Sequence, residues 1–151
     1  MKKILENLLR QGWLQEEKGI RPDQISRRLK RSLVDLNNAK LLLKVDAVGA
    51  YTMAYDSMLQ AGIALILSLG YRPKVVNFHK TVVETVRGIL GVDYSPAIKK
   101  FDQMRKSRHQ AVYEAEIISS SEAEIAIKTA REFIKRISLR LEEKNQRNKL
   151  L

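Results

Sequence analysis

The sequence predicts an all-α protein, an antiparallel up-and-down helical bundle of four main helices plus one or two shorter ones. Only three prolines and seven glycines interrupt the 151 residues, and apolar side chains recur at steps of three or four over long stretches. No segment alternates apolar and polar residues for long enough to predict a strand. A single domain over residues 1–151 is expected at this length, with a frayed polar tail from about residue 142.

The first three helices are predicted from their apolar faces and end signals. The first covers about residues 2–17 and has one apolar face. The second has Pro22 in its first turn and one apolar stripe that continues to about Lys44. Asp46 caps the third helix, which runs to Leu69 and is apolar around most of its surface. We therefore expect the third helix to be the central one.

The remaining helices follow from turn and cap signals. A turn is expected at residues 70–73, and a shorter helix over residues 76–90. Ser95 with Pro96 predicts the start of a fifth helix. The segment 119–124 offers a capping box for the sixth helix.

Composition points to a polyanionic partner and excludes cysteine chemistry. Lys and Arg number 28 against 17 Asp and Glu, which gives a net charge of +11. With no cysteine and two histidines, the chain is expected to hold neither a metal nor a cofactor. The amino-terminal stretch is charged instead of forming an apolar signal core, and polar residues interrupt the third helix. These features predict a cytoplasmic protein without a membrane partner.

The fifth helix combines an apolar arc with a central arginine. Arg108 lies in the middle of this arc, and a guanidinium cannot lose its charge when it is buried. We therefore expect a structural ion pair between Arg108 and Asp56, a carboxylate that apolar residues enclose on the third helix. The apolar residues assigned to the arc are Ile98, Phe101, Met104, Ala111, Val112 and Ala115.

The opposite arc of the fifth helix carries a polar stripe. Asp102, Arg105, His109 and Tyr113 follow each other at steps of three and four and project together. A guanidinium binds phosphate oxygens and an imidazole exchanges protons near neutral pH, so this stripe suits phosphodiester chemistry. Asp102 and the nearby Lys106 are then expected to bind the substrate. The alternative is a solvated helix face with Tyr113 at its edge.

Basic residues outside this stripe leave two interpretations open. They either line a nucleic-acid surface with little sequence preference or form a solvated exterior. The residues are Arg27, Arg28, Lys30, Arg31, Lys40, Lys44, Lys99, Lys100, Arg105 and Lys106. His79, at the start of the fourth helix, is expected to cap or pack.

Four strings of the chain resemble the HEPN superfamily of small helical bundles. They are residues 50–56 (AYTMAYD), 69–73 (LGYRP), 78–80 (FHK) and 101–114 (FDQMRKSRHQAVYE). The similarity extends over about residues 20–140. It implies an antiparallel helical bundle that dimerises, and many members are metal-independent ribonucleases with a cleft between protomers. Many also pair as toxins with a minimal nucleotidyltransferase.

The motif of the active members is an arginine followed by a polar residue, with a histidine further along the same helix. On this pattern Arg108 matches the family arginine, His109 the polar residue and Tyr113 the histidine. A phenol is a poor general base at neutral pH. A second alignment of the motif places its arginine at Arg105 and its histidine at His109, and it keeps an imidazole as the acid–base group. In some members a tyrosine near the motif is modified by the partner enzyme, which makes Tyr113 a candidate target.

The sequence thus predicts a homodimeric, RNA-associated protein with two alternative activities. One is a metal-independent ribonuclease toxin of a toxin–antitoxin pair. In that case Arg105 or Arg108 holds the scissile phosphate, His109 donates or accepts a proton, and Tyr113 orients the substrate. The other is a catalytically inactive module that binds a nucleotidyltransferase partner or RNA through the same cleft.

Overall fold

The computed structural model describes residues 1–150, with side chains described as far as residue 148. Within that range the chain forms six α-helices and a small two-stranded sheet, so the predicted all-α bundle is confirmed. A single 3-10 turn lies at Val92–Tyr94. The helices and strands are α1 (Lys2–Arg10), β1 (Leu14–Glu16), α2 (Pro22–Leu42), α3 (Ala47–Ser68), β2 (Tyr71–Pro73), α4 (Phe78–Leu90), α5 (Ser95–Glu114) and α6 (Ser120–Leu150).

Helix α3 is the central element, as its apolar circumference predicts. It packs against α2, α4, α5 and α6, and nearly all of its side chains from Ala54 onward are buried. Asp46 caps it by accepting a hydrogen bond from the backbone N–H of Gly49 at 2.9 Å. Across the described part of the chain, no helix combines the length and apolar character needed to cross a membrane.

Close packing at two glycines places α4 between α1 and α3. A Cβ atom on Gly62 of α3 would come within 2.8 Å of Val82, and one on Gly88 of α4 within 3.0 Å of Ile4. The absent side chains therefore let both neighbouring helices approach α4 closely. Asn77 precedes α4 with a φ of 55°, a left-handed conformation that asparagine tolerates better than most residues. This tight placement positions the amino end of α4 beside α3.

Two short strands replace part of the predicted first helix and the predicted turn at residues 70–73. Helix α1 ends at Arg10, and Gly12 reverses the chain with a φ of 75°. Strand β1 then pairs antiparallel with β2, with Leu14 opposite Pro73. The prediction of a helix to residue 17 and of no strand was wrong here. Strands of three residues are too short to show alternation, and their hydrogen bonds come from a partner far along the chain.

The carboxyl end of α5 also differs from the prediction. Val112 and Ala115 were assigned to the buried arc of α5 but both are exposed. Helix α5 ends at Glu114, and Ala115 follows it in the left-handed conformation that terminates a helix. Helix α6 runs to Leu150 and so includes residues of the predicted polar tail, and residue 151 lies outside the described range.

The predicted capping box of α6 is present. The hydroxyl of Ser119 accepts a hydrogen bond from the backbone N–H of Glu122 at 3.1 Å, and the Glu122 carboxylate accepts one from the backbone N–H of Ser119 at 3.3 Å. This reciprocal cap fixes where α6 begins after the turn that follows α5.

Candidate functional site

The polar stripe of α5 begins with a paired carboxylate. The Nε of Arg105 donates to Oδ1 of Asp102 at 2.9 Å, and the Nζ of Lys106 lies 3.4 Å from Oδ2 of the same residue. Burial raises the pKa of Asp102, but the hydrogen bonds and charges of Arg105 and Lys106 outweigh it and the pKa is lowered. Asp102 is therefore a carboxylate at neutral pH that orients the guanidinium of Arg105.

Arg108 faces the interior of the bundle with part of its guanidinium unpaired. Its Nε is buried and has no hydrogen-bond partner among the described residues. The side chain sits one turn beyond Met104 and just before Ala111, both of which are buried. A buried guanidinium N–H without an acceptor is costly, because it loses its water and gains nothing in exchange. This N–H is thus an unsatisfied donor in the interior of the described structure.

The ion pair expected between Arg108 and Asp56 is not formed among the described residues. Burial raises the pKa of Asp56, and the charge of Arg108 lowers it in part, so the two groups lie within electrostatic reach without direct contact. Asp56 is only partly buried, so water can solvate its carboxylate without a contacting cation. Arg108 consequently keeps its free donor.

A tyrosine and a histidine from different helices form what we call the inner pair, Tyr55 of α3 and His79 of α4. The hydroxyl of Tyr55 lies 2.8 Å from Nδ1 of His79. The two rings are stacked, with centroids 5.7 Å apart and planes inclined by 10°. Tyr55 is completely buried and His79 partly so. The packing of α4 against α3 therefore holds this imidazole in one orientation.

Burial assigns the proton positions within the inner pair. It raises the pKa of the Tyr55 hydroxyl, which stays protonated, and it lowers the pKa of His79, which favours the neutral imidazole. Nδ1 of His79 is the partner that the described residues give the Tyr55 hydroxyl, so that hydroxyl donates to it. The proton of the neutral ring then resides on Nε2, and His79 presents an N–H donor.

A second tyrosine and histidine form the outer pair, His109 and Tyr113, one turn apart on α5. Their ring centroids are 4.7 Å apart and the planes are inclined by 45°. Tyr113 is 70% exposed, and His109 is exposed as well. The spacing of four residues predicts this contact. The outer pair thus offers an imidazole and a phenol that are open to solvent.

Electrostatic coupling joins the inner pair to the fifth helix. After burial, the charges of Arg108, Arg105 and His109 lower the pKa of His79. The charges of Arg105 and Arg108 also act on Tyr55. The structure therefore brings together predicted residues from α5 and two aromatic residues from α3 and α4.

Two members of this cluster were not assigned to the site from the sequence. Tyr55 lies on the third helix, which was expected to be apolar around most of its surface, and His79 was expected to cap or pack. Both expectations describe their burial, but they miss the hydrogen bond that links them. The available signal was the similarity of the strings at residues 50–56 and 78–80, which contain these residues.

A comparison with protein families matches most of the chain, including this cluster. The family model described as HEPN domain matches residues 25–143. The chain belongs to the HEPN family. The matched region of this HEPN protein contains the inner pair, the outer pair and Arg108, whereas α1 and β1 precede it. No curated protein matches the chain.

Proposed function

We propose that this HEPN protein binds RNA at the cluster on α5 and cleaves it without a metal ion. The unpaired, buried Nε of Arg108 is the observation that carries the proposal. A phosphate group supplies the acceptor that this guanidinium lacks. The neutral His79 and the guanidinium of Arg105 provide further N–H donors in the same cluster.

The proposed reaction uses the 2′-hydroxyl of the RNA as its nucleophile. His109 accepts the proton of this hydroxyl, and the 2′ oxygen forms a bond to phosphorus. The bond from phosphorus to the 5′ oxygen breaks, and the imidazolium of His109 returns the proton to that oxygen. The products are a 2′,3′-cyclic phosphate and a 5′-hydroxyl. Arg108, Arg105 and Nε2 of His79 stabilise the charge that develops on the phosphate oxygens.

The proposed active form is a homodimer in which two such clusters face each other. Exposed apolar side chains beside the outer pair support this arrangement. Val112 is 47% exposed and Ile117 is 92% exposed. A second copy of the chain would cover these residues and exclude water from His109. The toxin role, and a nucleotidyltransferase as antitoxin, belong to the same proposal and rest on the resemblance to the superfamily.

Incubation of mixed RNA with the purified protein in EDTA tests the proposed cleavage. We expect the wild type to produce cyclic phosphate ends and His109→Ala to cleave at least about 100-fold more slowly, as expected for the loss of an acid–base group. Gln110→Ala is the matched control, because Gln110 is the exposed neighbour on the same helix. Equal rates for wild type and His109→Ala would contradict the proposal.

The exposure of Tyr113 favours a second candidate, an interaction module that does not cleave. Its 70% exposed side chain is accessible to a partner enzyme, and its phenol is a poor base. This candidate predicts no cleavage of RNA by the wild type at any protein concentration. It also predicts that a nucleotidyltransferase transfers a nucleotide to the wild type and not to Tyr113→Phe.

A further inference from the structure

One cleft of the molecule is lined mainly by arginines. It has a volume of about 460 Å³ and lies between α2, α3 and β2. Four guanidinium groups line it, and none of the lining residues in the described chain is acidic. This volume is typical of ligand sites. The four residues, which we call the arginine cleft, are Arg27, Arg28, Arg31 and Arg72.

Three of these arginines have a carboxylate partner outside the cleft lining. Arg27 pairs with Asp23 at 2.9 Å and Arg31 with the buried Asp35 at 2.7 Å. Arg72 pairs with Glu17. A guanidinium has five N–H donors, so one carboxylate leaves donors of each arginine free. These pairs hold the side chains in place without filling the cleft.

Arg28 differs from the other three because its partner is neutral. Its Nη1 donates to the side-chain oxygen of Gln60 at 3.0 Å. Burial and the charge of Arg72 both lower the pKa of Arg28, although an arginine remains a cation at neutral pH. A partly buried cation beside another cation is unfavourable. An anion between Arg28 and Arg72 would remove this repulsion.

The arginine cleft lies next to the proposed cleavage site. Gln60 follows Asp56 by four residues of α3, about 6 Å along the helix axis. The charges of Arg108 and Arg31 both act on Asp56. Ser32 of α2 also donates to the backbone oxygen of Ser57, so α2 packs on the stretch of α3 that contains Asp56. The arginine cleft and the cluster on α5 are therefore neighbours at this stretch of α3.

We propose that the arginine cleft is a second phosphate-binding site, which holds the backbone of the RNA strand beyond the bond that is cleaved. The assignment of RNA as ligand rests on the proposed function. The shared chemistry is a phosphate group, and a free nucleoside triphosphate is the other source of it. Contacts to phosphate of this kind give affinity with little dependence on sequence.

Binding of a single-stranded RNA with 2′-O-methyl groups, which cannot be cleaved, tests the cleft separately from catalysis. Fluorescence anisotropy over several salt concentrations gives the affinity and its salt dependence. We expect Arg28→Gln to weaken binding about tenfold, because one charge-assisted contact is lost. The slope of log affinity against log salt should become shallower by about 0.7. Arg27→Gln, at an exposed side chain, provides a second variant that does not disturb the core.

Arg87→Gln is the matched control, because it removes the same charge from an exposed arginine on α4. A parallel titration with ATP distinguishes the source of the phosphate. Weaker RNA binding by the cleft variants alone supports the RNA backbone as ligand, and weaker ATP binding alone supports a phosphate site for a free nucleotide. Cleft variants that match Arg87→Gln with both ligands would overturn the proposal. If the wild type does not bind RNA, the proposed function is wrong. The ATP titration then still tests whether the arginine cleft binds phosphate.

Discussion

The inner and outer tyrosine–histidine pairs use the same residue types in opposite surroundings. Tyr55 and His79 come from two helices, have nearly parallel rings and share a hydrogen bond of 2.8 Å. His109 and Tyr113 come from one helix, and their rings meet at 45° in an exposed position. Both pairs lie within electrostatic reach of each other, because His109 acts on His79.

The difference shows how burial divides two chemical roles between identical side chains. Burial keeps the imidazole of His79 neutral and its orientation fixed, so it suits the role of a hydrogen-bond donor. His109 is accessible to water and to substrate, so it suits the role of a proton carrier. The charge of Arg108 lowers the pKa of His79 and acts on that of Tyr55 as well.

The largest effect is expected from removal of the positive charge of Arg108, which acts on the inner pair. Arg108→Met should lower the rate of RNA cleavage by about 100-fold or more, because a phosphate ligand is lost. Its melting temperature should stay the same or rise, because a buried donor without a partner is replaced by an apolar side chain. Cleavage assays and thermal denaturation on the same preparation measure both effects.

A sharp fall in the melting temperature of Arg108→Met would instead show that Arg108 stabilises the fold. That result would support the structural ion pair between Arg108 and Asp56 that the sequence predicts. Arg87→Met, at an exposed position of α4, controls for the exchange of arginine for methionine.

Removal of the tyrosine hydroxyl should lower the stability of the protein more in the inner pair than in the outer pair. Tyr55→Phe is expected to lower the free energy of unfolding by about 1 to 2 kcal/mol, because Nδ1 of His79 loses its donor. Tyr113→Phe should change it by less than about 0.5 kcal/mol, because the side chain is exposed. Urea denaturation of both variants provides the comparison. A similar decrease in the free energy of unfolding in both variants would show that the hydrogen bond of the inner pair does not stabilise the fold.

The smallest expected effect is a change in how the free energy of unfolding depends on pH. The pKa of His79 is lowered from the ordinary value of 6.5 in the folded state. When the pH falls below 6.5, His79 binds a proton in the unfolded chain but not yet in the folded protein. The free energy of unfolding therefore falls as the pH decreases toward the pKa of His79 in the folded protein. The slope should stay below about 1.4 kcal/mol per pH unit, which corresponds to one full proton.

His79→Asn should remove this contribution while its amide oxygen still accepts the hydrogen bond of Tyr55. Denaturation between about pH 7 and pH 5 measures the slope, with His109→Asn as the control. A slope that persists in His79→Asn, or disappears in His109→Asn, would assign the titration to another group and remove the distinction between the two histidines.

Much of the fold was predictable because helices depend on local sequence. The caps at Asp46 and Ser119, and the central position of α3, follow from residues a few positions apart. The strands β1 and β2 were not predictable, because each has three residues and its partner lies more than fifty residues away. The exposure of Val112 was not predicted. A helical wheel shows which way a side chain points, but it does not show whether a neighbouring helix extends far enough to cover it.

The sequence by itself determined the helical bundle, the basic charge and the outer pair, since a spacing of four residues places two side chains on the same helix face. Only the tertiary structure decided the inner pair, because Tyr55 and His79 are 24 positions apart and meet through the packing of α4 on α3. It also decided that the Nε of Arg108 has no acceptor among the described residues, since the position of Asp56 relative to that guanidinium depends on how two helices are placed. Periodicity along one helix carries no information about such distances between helices.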